Sequence, residues 1–173
     1  MSNLLVQNIK HTNATTAQTI DSTGRILTPA RPAFRARIAG STGATGTQGV
    51  LVFETEDFDI GGNYNTSNGI FTAPVTGIYH LMFRAISATD SSGTASGNTD
   101  TIFGDLQKNG SNVAGSRFYS YYASAGSHHA TLRLNTLIQL SATDTAKINI
   151  ASEFVYSDTN AEQDPTFEGY LLG

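Results

Sequence analysis

Gly69-Ile70-Phe71-Thr72-Ala73-Pro74-Val75-Thr76-Gly77-Ile78-Tyr79-His80-Leu81-Met82-Phe83-Arg84 is the stretch that decides the fold. Tyr79, Leu81 and Phe83 alternate with His80, Met82 and Arg84, and only Met82 breaks the apolar/polar rule. A period of two places one set of side chains inward and the other outward, which is a half-buried strand. Ser67-Asn68-Gly69 precedes it as a turn cluster, and Pro74 with Gly77 shapes a second turn. Helix formers are sparse, and no long stretch repeats apolar residues at helical spacing.

The same pattern recurs on both sides. Phe34, Ala36 and Ile38 alternate with Arg35 and Arg37; Ala130, Leu132 and Leu134 with Thr131 and Arg133; Ala146, Ile148 and Ile150 with Lys147 and Asn149. Asn109-Gly110 is a strong hairpin signal, because a type I′ turn wants positive φ at both central residues. Many short strands with such punctuation predict an all-β antiparallel sandwich or barrel.

Composition agrees. Of the 173 residues, 68 are Thr, Ser, Asn or Gly, while charged residues are 14%. Leu, Ile, Val and Phe make up 39 residues, enough to bury a core. The formal charge of −4 argues against wrapping nucleic acid, which needs a cationic footprint. There is no cysteine, so disulfides, thiolate metal ligands and thiol nucleophiles are excluded. No run of about 18 apolar residues occurs, so no membrane contact is expected. Met1-Ser2-Asn3-Leu4-Leu5-Val6-Gln7-Asn8 has no basic start and only three apolar residues in a row, which predicts synthesis without a secretory signal.

Several landmarks then fall in one order. These are Ala33-Phe34, Val50-Leu51-Val52-Phe53, Tyr64-Asn65, the Gly69–Tyr79 stretch, Lys108-Asn109-Gly110, Leu132 with Leu134, and Phe167-Glu168-Gly169-Tyr170-Leu171-Leu172. Together they resemble a C1q domain, the globular head related to the tumour necrosis factor superfamily. The resemblance covers residues 33–173. It implies a ten-stranded jelly-roll sandwich that forms a homotrimer, with Phe34, Phe53, Phe71, Tyr79, Phe83, Phe167 and Leu171 in core or trimer packing. Leu171-Leu172 is apolar for a chain end and is expected to be buried. Many members carry Gly-Asp before the penultimate strand, where this chain has Thr143-Asp144; a changed turn is expected there.

Residues 1–32 read as a separate segment, too small to hold a core. Ser22-Thr23-Gly24 suggests a small hairpin, and Pro29 and Pro32 stiffen a connector to the domain. Residues 1–34 resemble openings of virion structural proteins in tailed bacteriophages, notably those of marine cyanobacteria. That resemblance implies particle attachment through Leu4, Leu5, Val6, Ile9, Ile20 and Ile26. The partners implied are other virion proteins and a host-surface glycan or protein.

Candidate chemistry is sparse. His128 and His129 are adjacent on a strand and cannot chelate one ion from a single chain, although three copies on an axis could. Asp57, Asp59 and Gly62 match the start of an EF-hand loop, but Asn68 stands where the bidentate Glu is needed, so Glu54–Asp59 reads as a solvated acidic edge. The resemblance leaves room for calcium near a trimer top, with no residue here identifying a site; no cofactor is expected. There is no Gly-x-Ser-x-Gly elbow and no phosphate loop. Tyr119, Tyr121 and Tyr122 beside Phe118 read as packing within the sandwich or across a trimer axis, with sugar stacking as the alternative. Residues 40–49 read as a flexible loop; Ser87–Asp100 and Tyr156–Pro165 are further polar loops. The expectation is a non-enzymatic virion fibre, knob or decoration. The alternatives are a secreted C1q-like ligand or adhesin, and a glycan-degrading appendage enzyme.

Overall fold

The computed structural model describes all residues except 1–5, 15, 40–42, 46–48, 89–99, 123–129, 153, 158–163 and 173. Seventeen strands and no helix lie among the described residues. In the N-terminal segment these are β1 (Asn8–Lys10), β2 (Thr16–Ile20) and β3 (Ile26–Leu27). The first half of the domain contains β4 (Ala33–Arg37), β5 (Gly43–Thr45), β6 (Gly49–Val50), β7 (Thr55–Ile60), β8 (Tyr64–Asn65), β9 (Ile70–Thr72) and β10 (Gly77–Ala88). The second half contains β11 (Asp100–Lys108), β12 (Ser111–Asn112), β13 (Phe118–Tyr122), β14 (Ala130–Leu140), β15 (Thr145–Ser152), β16 (Phe154–Ser157) and β17 (Thr166–Leu171). The fourteen strands from Ala33 onward exceed the ten implied because pairings of two or three residues are included. Gly43–Thr45 and Gly49–Val50 correct the loop reading of residues 40–49, since both pair into sheets.

Two antiparallel sheets form a jelly-roll sandwich. The first runs β7–β4–β17–β10–β14, with β16 and then β5 lying beyond β17 along the same edge of β10. The second runs β12–β11–β15–β9–β8, with β13 beside β11 and β6 beside β15. The chain passes from β15 in one sheet to β16 in the other across a single residue.

The alternating residues of the sequence meet between these sheets. Phe34, Phe53, Phe71, Tyr79, Phe83 and Phe167 are all fully or almost fully buried. Phe34 stacks on Tyr64 at 5.1 Å and Phe71 at 4.7 Å, and meets the edge of Phe167 at 5.1 Å. Tyr64 and Tyr79 keep their hydroxyls partnered, accepting from Phe53 N and donating to Val75 O. Burial pushes both phenols upward in pKa. Leu171 is only half-buried and Leu172 is exposed, so the expected burial of the C-terminal pair is corrected. Leu171 keeps the inward alternation and packs against the core from the end of β17.

The Asn109-Gly110 turn has φ of 50° and 82°, as a type I′ hairpin requires. The Thr143 turn is less comfortable. Thr143 has φ 74°, which for a β-branched residue costs about 1–2 kcal/mol. Thr143 N donates to Ala73 O, Ala73 N to Asp144 O, and Ser141 N to the Asp144 carboxylate. The Lys108 ammonium, the Asn109 amide and Ser141 N hold the Asp144 carboxyl well below its usual range, at about 2. A depressed folded-state pKa stabilises above the unfolded value and loses that contribution as pH falls through the folded one. The thermal midpoint should therefore drop between pH ~4 and ~2. Asp144→Asn should flatten that drop, as a thermal melt at each pH will check.

Candidate self-association face

Strand register builds this site from alternate residues of the first sheet, on the side away from the core. One row across the sheet is Ile60, Ala33, Tyr170, His80 and Leu137. The next is Phe58, Arg35, Glu168, Met82 and Asn135. Leu137 is 61% exposed, Phe58 48%, Ile60 42%, and Ile78 and Tyr170 38% each. Large apolar groups this open on one flat sheet face mark an interaction surface.

Polar groups on the face are tied to one another. His80 contacts the Tyr170 hydroxyl through Nδ1 at 2.9 Å and Asn135 Oδ1 through Nε2 at 2.5 Å. A bulge in β7 swings Asp57 towards Arg35 and Arg37. Arg37 reaches on to Asp164 at 2.7 Å, and Arg35 lies 3.4 Å from Glu168. The hydrogen bonds that Arg37 donates to Asp57 and Asp164 raise its pKa further. The acidic run is an edge strand, but its Asp57 and Asp59 are engaged: Asp59 accepts from Tyr64 N. Among the described residues no group of three or more His, Asp or Glu is placed to hold a metal ion.

The sequence-predicted residues fall into three sets. Phe34, Phe53, Phe71, Tyr79, Phe83 and Phe167 lie between the sheets of one chain, not on its outer face. Ile9 and Ile26 are exposed and Ile20 half-buried on the N-terminal sheet, Val6 is exposed just before it, and Leu4 and Leu5 lie outside the described residues. His128 and His129 also lie outside them, as do most of the loops after Ala88 and Ser157. Phe118 is buried within the sandwich, while Tyr119 is 71% exposed and does not pack inside the single chain. The outer-face belt was missed, although Ile78 and Leu137 at outward positions signalled it.

Residues 33–172 match the model of the C1q domain. The chain belongs to the C1q domain family. The globular domain of zebrafish complement 1qA aligns with 18% identity and a TM-score of 0.59, over 82% of this chain and 98% of that one. Murine APRIL in a crystal at pH 5.0 aligns with 12% identity and a TM-score of 0.59, over 82% of this chain and 99% of that one. No curated protein matches the chain. C1q domains typically form homotrimers and in general bind ligands rather than catalyse reactions. The family match begins at Ala33, beyond the N-terminal sheet, and nothing in it indicates a bacteriophage origin.

Proposed function

We propose that this protein is a non-enzymatic structural component of a tailed-phage particle, assembled in the host cytoplasm as a homotrimeric fibre, knob or decoration. The observation that carries the reading is the opposed character of the two ends. At one end the three-stranded N-terminal sheet has Ile9, Ile26 and Leu27 exposed, with Val6 exposed just before it, and Leu171 N bonds Pro32 O nearby. A sheet that small gains its stability from a surface that covers it. At the other end the strand ends at Ala88, Asp100, Tyr122 and Ala130 lie together. The loops they carry are the candidates for contacting a host glycan or protein, with many copies compensating for weak single contacts.

Deleting residues 1–32 should leave a folded trimer that no longer joins the particle. Normal incorporation of that truncation would move attachment into the jelly roll. The trimer is expected to use the outer face of the first sheet, so light scattering should give about three times 18.3 kDa. Leu137→Glu should give a folded single chain instead. A trimer unaffected by that change would place the interface elsewhere. A secreted ligand or adhesin is the second reading, favoured by the family match itself. It shares the trimer but predicts protein free in the medium rather than copurifying with particles.

A further inference from the structure

Outside the self-association face, the turn after β7, the end of β9 and the β14–β15 turn enclose an open hollow of about 530 Å³. Its wall includes Asn63, Asn65, Thr66, Thr72, Pro74 and Thr143, and no charged residue lines it. Several of its polar groups have no partner among the described residues. Asn65 Oδ1 accepts from Ser67 N, which leaves its amide donors free. Asn63 Nδ2 donates to Ile60 O, which leaves its carbonyl free. The hydroxyls of Thr66, Thr72 and Thr143 make no hydrogen bond to the described residues. Donors and acceptors are thus interleaved, uncharged and adjustable, beside the small apolar face of Pro74.

Thr143 supplies an independent observation. Its φ of 74° is held by Thr143 N on Ala73 O and Ala142 N on the Thr76 hydroxyl. Glycine would make the same turn without strain, so what threonine adds is a hydroxyl and a methyl on the wall of this hollow. Strain locked in by surrounding bonds is a pointer to a functional position. We propose that this hollow binds a neutral saccharide, one to three sugar units long, through the Asn63, Asn65, Thr66, Thr72 and Thr143 side chains. Hydroxyl-rich, uncharged ligands match such a set, since each sugar hydroxyl both donates and accepts. An extended peptide fits less well, because the adjacent edge strand β8 has only Tyr64 and Asn65 to pair with it. The site stands apart from the loop end and does not depend on the particle reading.

The test uses the full chain and saturation-transfer NMR. The probes are neutral mono- to trisaccharides of glucose, galactose, mannose and N-acetylglucosamine, with oligogalacturonate and trialanine as counter-probes. At least one neutral sugar should bind, at a Kd of roughly 1 mM. Asn65→Asp, which keeps the Ser67 bond, and Thr143→Gly should each weaken it roughly fivefold, the worth of one hydrogen bond. Thr143→Gly should at the same time raise the melting temperature. No transfer to any neutral sugar overturns the proposal. So does binding that both variants leave unchanged, or a preference for either counter-probe.

Discussion

Phe34→Ala will lower stability by about 3–5 kcal/mol, the cost of losing a buried ring and leaving its cavity. For a chain of this size that is roughly 6–20 °C in thermal midpoint. Phe34 stands out because its ring joins three others: Tyr64 and Phe71 on its faces, Phe167 at its edge. Those partners come from β8 and β9 in the facing sheet and β17 in its own, so packing weakens both across the sandwich and along the first sheet. Its neighbours are locked by their own strands and cannot collapse into the space. A Phe34→Leu chain, which refills much of the volume, should recover more than half of the loss in a denaturant titration. Equal losses for both would mean that ring stacking rather than volume holds this layer.

Gly69→Ala should cost a comparable amount for a different reason. Gly69 has φ 72°, and a Cβ there would come within 2.5 Å of Leu51 O and 3.2 Å of Val52 Cα. Both are backbone atoms of a segment held by Leu51 N on Ile148 O, so neither can step aside. Overpacking of this kind costs about 1–3 kcal/mol. The left-handed conformation adds roughly 1–2 kcal/mol. Gly62→Ala is the matched control, because φ is 66° there with nothing within 4 Å of the added carbon. The difference between the two variants in a chemical melt isolates the close approach. If they fall equally, the approach at Gly69 carries no cost of its own.

Much of the fold was legible because strand alternation survives in nearly every inward position. Phe34, Leu81, Leu132 and Ile148 each sit where period-two reading places them. The short pairings were not legible. Gly43–Thr45 and Gly49–Val50 carry no apolar alternation, and they become strands because β16 and β15 offer free edges beside them. Gly169 shows the same limit: a Cβ there would meet Leu81 Cδ2 at 2.5 Å and Phe34 Cε1 at 3.0 Å, contacts that only tertiary structure creates. The outer-face belt was hidden because it comes from five strands far apart in sequence, each contributing one or two apolar residues. The hollow beside Thr143 was hidden for a related reason, since asparagine and threonine are abundant everywhere in this chain.

The position of β17 between β10 and β4 has a consequence for how the protein is made. Both neighbours leave the ribosome long before it does, and they pair with it rather than with each other. Until β17 emerges, the sheet has a vacant slot with two open edges, and Phe34 and Phe83 lack their Phe167 neighbour in the core. The domain therefore cannot close until β17 is free to pair with both. In that interval its open edges are templates for mispairing with other nascent chains.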